Sequence, residues 1–105
     1  MTENASSFFV HDNIANGRFE LHEKRADHEN IVSFASYERH GNTVIVPHVE
    51  TDPQRRGEGF ADQLMAGLLD QIEATASLIV PLCPFAAAYI AERTERRHLL
   101  ASDKD

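Results

Sequence analysis

The spacing of apolar and polar positions changes period once along this 105-residue chain. Up to Thr51 it runs in twos, which predicts half-buried strands. "FFVHDNIANGRFELHE" sets Asn16-Gly17 between two short apolar runs, and that dipeptide accepts the positive φ of a tight hairpin turn. "IVSFASYERHGNTVIVPHVET" repeats the plan with Gly41-Asn42 as the turn, and sets Ile31, Ser33, Ala35 and Tyr37 against Val32, Phe34 and Ser36. Four antiparallel strands follow. In the fourth, Val44, Val46, His48 and Glu50 are expected on one face, with Ile45, Pro47, Val49 and Thr51 on the other. Pro47 cannot donate to a ladder, so a bulge or an opening is expected there.

From Gly57 the period lengthens. Ala61, Leu64, Met65, Leu68, Leu69 and Ile72 fall at three- and four-residue steps, the stripe of an amphipathic helix. Gly67 lies off that stripe and costs ~1 kcal/mol relative to alanine. "SLIVPLCP" then predicts a short buried strand bounded by Pro84, and "PFAAAYIAER" a second helix with proline at its favoured first position. The fold class is therefore α+β: a four-stranded antiparallel meander, a helix, a fifth strand and a second helix. A helix joining the meander to one more strand implies a crossover, which sets the fifth strand parallel to the fourth. No internal repeat is present, and "ASDKD" reads as a frayed tail.

Residues 1–105 make one domain at this length, so fold and site share a single core. The apolar fraction of 42% and charged fraction of 26% fit a globular chain. A net charge of -7 argues against nucleic acid, since phosphate neutralisation needs clustered Lys and Arg. No apolar run approaches the roughly 20 residues of a membrane span. Cys83 is the one cysteine and has no disulfide partner; "MTENASSFF" lacks the basic and apolar regions of a secretory leader, so a cytoplasmic location is expected. The six histidines show no metal-ligand spacing, and no metal is expected.

Against that acidic background "PQRRGEGFADQL" places two arginines and two glycines at the mouth of the long helix. A strand, a short glycine loop and a helix N-terminus gather backbone N–H groups at the positive end of the helix dipole, a seat for phosphate. Gly57 and Gly59 let a ligand approach the backbone closely, and Arg55 and Arg56 add charge suited to a diphosphate. Taken alone, the same residues equally describe a plain strand-to-helix turn with solvated arginines.

The stretch Gln54-Arg55-Arg56-Gly57-Glu58-Gly59 resembles the Q/R-x-x-G-x-G/A loop with which GNAT-superfamily acetyltransferases hold the pyrophosphate of acetyl-CoA. "GRFEL", "HVETDPQRRGEGFADQL" and "VPLCPFAAAYI" further resemble the small single-domain members of that superfamily. The likeness spans roughly Phe8 to Arg93. It implies a GNAT-like fold, transfer of an acetyl group from acetyl-CoA to an amine, and cofactor contacts at Gln54, Arg55, Arg56, Gly57, Glu58, Gly59 and Phe60. It also implies that acetyl-CoA enters a splay between the fourth and fifth strands. The pattern departs after Arg93: a His-Pro-Glu-Tyr-like segment is usual there, and "TERRH" stands instead, so no histidine role passes to Thr94.

Acetyl transfer to an amine needs a neutral amine, a place for the developing oxyanion and a proton for the leaving thiolate. His48 is a candidate base for the amine, imidazole being the side chain poised near neutral pH, or is a hydrogen-bonded strand histidine. Glu50 positions or deprotonates the amine, or is solvated, or pairs with Arg55. Cys83, before Pro84 at a helix start, is a nucleophile or proton carrier, or a small buried packing residue. Tyr89 lies near where the resemblance places a tyrosine that protonates the thiolate, or packs with Phe85. A binding module that holds CoA without turnover requires the same loop but none of these four residues.

Overall fold

The structure, a computed structural model, describes residues 6–101; residues 1–5, and all of the expected tail "ASDKD" but Ala101, lie outside the described residues, and Ala101 itself donates its N–H to the Ile79 carbonyl at 2.9 Å. Strands β1 (Ser7–Asn13), β2 (Arg18–Arg25), β3 (His28–His40) and β4 (Thr43–Thr51) form an antiparallel meander. Helix α1 (Phe60–Ala74) then crosses to β5 (Leu78–Pro81), which lies parallel to β4 at the sheet edge, and α2 (Pro84–Ala91) follows. The sheet order is β1-β2-β3-β4-β5, the predicted architecture. A 3-10 segment, Thr94–Leu99, not predicted from the sequence, closes the chain against α1 through ion pairs of Arg96 with Asp70 and Glu73. No helix is long and apolar enough to cross a membrane among the described residues.

Phe19, Leu21, Val32, Ala35, Val44 and Val46 of the sheet, Leu64, Met65, Leu68, Leu69 and Ile72 of α1, and Ala86, Tyr89 and Ile90 of α2 make one buried cluster. Phe60, rather than Ala61, begins the buried stripe of α1; Ala61 is only half-buried. The Asn16-Gly17 hairpin forms, but not as a two-residue turn. Asn13 pairs with Arg18, so four residues make the loop: Asn13 caps a 3-10 turn at Ile14–Asn16, and Gly17 takes φ +64°. Gly41-Asn42 is the two-residue turn expected, with His40 opposite Thr43.

Two register shifts change which side chains share a face. Between β2 and β3, Leu21 faces Ser33 while His22 faces Ile31, which leaves Val32 as the extra residue. A bulge lets neighbouring residues turn inward together, so Val32 and Ser33 are both buried and Ile31 is exposed, against the simple alternation. Between β3 and β4 the shift falls at Pro47: Ser36 faces His48 but Glu38 faces Ile45. The opening predicted from Pro47 is therefore present, and it reverses the face assignment beyond it. Val44 and Val46 are fully buried, Val49 packs on the same core, and His48 and Glu50 point to the opposite, open face rather than sharing the face of Val44 and Val46.

Gly67 has a packing reason that its place off the stripe conceals. A Cβ there would stand 2.3 Å from Cγ2 and 2.9 Å from Cβ of Val10 on β1. Substitution by alanine normally stabilises an exposed helix interior, but here overpacking wins, and Gly67→Ala is expected to destabilise by about 1–3 kcal/mol. Urea unfolding would measure it; a gain in stability would show that β1 yields freely.

Candidate active site

Pairing of β4 with β5 stops at Val46 and Pro81. The Val46 carbonyl accepts from both Leu82 N–H (2.9 Å) and Cys83 N–H (3.1 Å), which closes the ladder. Residues 47–51 of β4 continue without a β5 partner, so a wedge opens between the strands. The bulge at Pro47 and the turn into α2 at Pro84 are the local causes: one proline removes a ladder donor, and the other starts a helix where β5 would have continued.

A cleft of about 500 Å³ fills this wedge, lined by His48, Val49, Glu50, Thr51, Arg56, Ala61 and Phe85. A second, of about 220 Å³, shares Thr51, Arg56, Ala61 and Phe85 with it and adds Gly57, Gly59, Phe60 and Asp62. The two form one groove from the β4 side chains to the N-terminus of α1. A third cleft of about 210 Å³, bounded by Asp62, Phe85, Ala88, Tyr89, Glu92 and Arg93, extends the groove along α2.

The glycine loop gives this groove its floor. Asp52 caps the 3-10 turn Pro53–Arg55 by accepting from Gln54 N–H at 3.0 Å. Gly57 and Gly59 then take φ +84° and +81°, a region that side chains rarely adopt. A Cβ at either glycine would meet nothing within 4 Å, so both face open space. Gly59 is also the N-cap of α1 and supplies no side-chain cap, so the first-turn N–H groups, which have no partner within the helix, are left uncapped among the described residues.

The two arginines have different surroundings. Arg55 gives Nη1 and Nη2 to the two carboxylate oxygens of Glu23, at 2.9 and 3.0 Å, and Nε to Glu58 at 3.1 Å. Arg56 is exposed, lines the first two clefts, and makes no hydrogen bond or ion pair among the described residues. Glu58 is drawn to Arg55, and Gln54 is exposed on the outside of the 3-10 turn.

On the open face His48 Nε2 lies 2.9 Å from Glu50 Oε1, and the Phe34 ring stands edge-on to the imidazole at 6.3 Å between centroids. Glu50 therefore pairs with His48, not with Arg55. Further along that face Glu20 is buried, yet Arg18, Asn13 and His22 hydrogen-bond its carboxylate. Burial pushes its pKa up, but those bonds outweigh it and bring the carboxyl down to about 2.

Cys83 stands at the apex of the wedge as the N-cap of α2, but its side chain is buried, 7% exposed, within the core. Tyr89 is not brought to His48 and Glu50. Its ring lines the third cleft beneath the Arg93 guanidinium, 3.5 Å from the ring centroid, with Phe85 between it and the wedge. Sequence reasoning passed over Thr51, Asp62, Phe85 and Arg93 as lining residues. Phe85 was visible beside Pro84, whereas Thr51 joins the core side only through the bulge, which the alternation of residues does not reveal. It also passed over Glu23, although a glutamate in step with Phe19 and Leu21 marks a buried ion pair.

The family model of the GCN5-related N-acetyltransferases matches residues 18–99, most of the chain. The chain belongs to that family. It is accordingly an acetyltransferase of the GNAT type. A solution structure of a GCN5-like protein from Staphylococcus aureus has the same fold, with a TM-score of 0.62 at 13% identity, over 97% of this chain and 92% of that one. No curated protein matches the sequence.

Proposed function

We propose that this chain moves the acetyl group of acetyl-CoA to an amine in the wedge between β4 and β5. The observation that carries the proposal is the continuity of the groove: one channel joins the His48–Glu50 pair to the glycine loop and the α1 N-terminus, which has no side-chain cap. The diphosphate sits on the N–H groups of residues 56–60, since Arg55 N–H is already given to the Asp52 carbonyl at 2.8 Å, with the Arg56 guanidinium as its charged partner. The thioester then lies in the wedge and the amine approaches from the open sheet face, where His48 and Glu50 stand. His48 donates from Nε2 to Glu50, which leaves Nδ1 with its lone pair to take the proton of the attacking amine. Glu50 orients the ring. The departing thiolate meets the start of α2, where Cys83 supplies no side-chain cap and first-turn N–H groups remain.

Calorimetric titration with acetyl-CoA tests the cofactor half. Binding is expected, and Arg56→Gln should raise Kd about 10-fold, the loss of one charge-assisted contact. An unchanged Kd in Arg56→Gln would return that side chain to solvent.

A further inference from the structure

Glu23 occupies the core face of β2, in step with the buried Phe19 and Leu21, and its side chain is only 3% exposed. A buried carboxylate persists in a core only when it is paired and hydrogen-bonded. Its fork-to-fork partner, Arg55, is 32 residues away in sequence, and Arg25 adds a weaker contact at 3.4 Å. The bonds from Arg55, working against the desolvation that raises it, bring the Glu23 carboxyl down to about 2, so the pair is fully ionised at neutral pH. The Arg55 guanidinium also lies over the Phe60 ring at 4.9 Å, and Phe60 packs on Phe8 of β1 at 5.3 Å. With two bonds to Glu23 and two to Glu58, four of its five N–H donors are engaged within the protein.

We propose that Glu23 is a positioning residue of the cofactor loop: it anchors Arg55, and through Arg55 the path of residues 55–59, to the sheet. A loop with two glycines at positive φ and few packed side chains has many conformations open to it. β2 lies between β1 and β3 and cannot move independently. Tying the loop to it aims the N–H groups before the ligand arrives, so less ordering is required on binding. Arg55 acts through Glu23 and does not touch phosphate; Arg56 is the arginine of the pair that does. The ligand side of this inference rests on the loop being the diphosphate seat, whereas the anchoring itself does not.

The test is carried out on the full chain with Glu23→Gln, Arg55→Gln and the double variant. Backbone 15N order parameters of residues 56–59 are expected to fall from the rigid range near about 0.85 to below about 0.6 in each variant, with β3 and β4 unchanged. Kd for acetyl-CoA should rise about 10-fold in each single variant and no further in the double, as for residues acting as a unit. Arg55→Lys, which retains the charge but not the fork, should fall between Arg55→Gln and the native protein. Three outcomes overturn the inference: order parameters that do not change, Kd values within twofold of native, or Arg55→Gln losses that exceed and add to those of Glu23→Gln. If the native chain does not bind acetyl-CoA, the cofactor assignment fails, and the order parameters alone still decide the anchoring. Should Glu23→Gln fail to fold, Arg55→Gln carries the same measurement.

Discussion

Gly57→Val and Gly59→Val should each abolish measurable acetyl-CoA binding, with Kd raised at least about 100-fold, while the far-ultraviolet circular dichroism stays native. Two effects add. Each glycine holds a φ above +80°, where a β-branched residue is strained by about 1–3 kcal/mol and drives the loop toward another path. Each also presents open space where a Cβ meets no protein atom within 4 Å, so the new isopropyl group would occupy the volume assigned to the diphosphate. Because no protein atom is displaced, the fold tolerates the change better than the ligand does. Binding within about 5-fold of native in both variants would remove the loop from the site.

His48→Ala is expected to lower turnover by about 100-fold or more with little change in acetyl-CoA affinity, because it removes a proton acceptor and not a cofactor contact. The imidazole is more than half exposed, at 57%, and packs only edge-on against Phe34, so its loss leaves the core intact. Glu50→Gln should give a smaller loss, since the amide still meets the ring but no longer favours the Nε2–H tautomer. The pH profile separates the roles: loss of the low-pH limb in His48→Ala identifies the titrating base, whereas a parallel drop at every pH would make His48 a binding residue.

The sheet order and the crossover were legible because strand and helix periods differ and because α1 carries an unbroken buried stripe. The wedge was legible only in outline. Pro47 signalled a broken ladder, but not that one extra residue would carry His48 and Glu50 to the open face. Alternation counts residues, and a bulge adds one without any mark in composition. Val32 shows the same limit on β3, where Ile31 turned outward although it stood in step with Ser33 and Ala35. The division of labour between Arg55 and Arg56 was hidden for another reason: adjacent arginines look alike until the partner of one, far away on β2, is brought beneath it. Gly67 likewise depended on β1 crossing α1, a contact between segments distant in sequence.

The most direct test is to incubate the purified protein with acetyl-CoA and a mixed pool of amines, following free CoA and acetylated product by mass spectrometry. The mechanism predicts CoA release matched one for one by an acetylated amine in the native protein, and its loss in His48→Ala and in Gly57→Val. CoA release no faster than without protein, or turnover undiminished when the glycine loop is blocked, would contradict acetyl transfer in the wedge between β4 and β5.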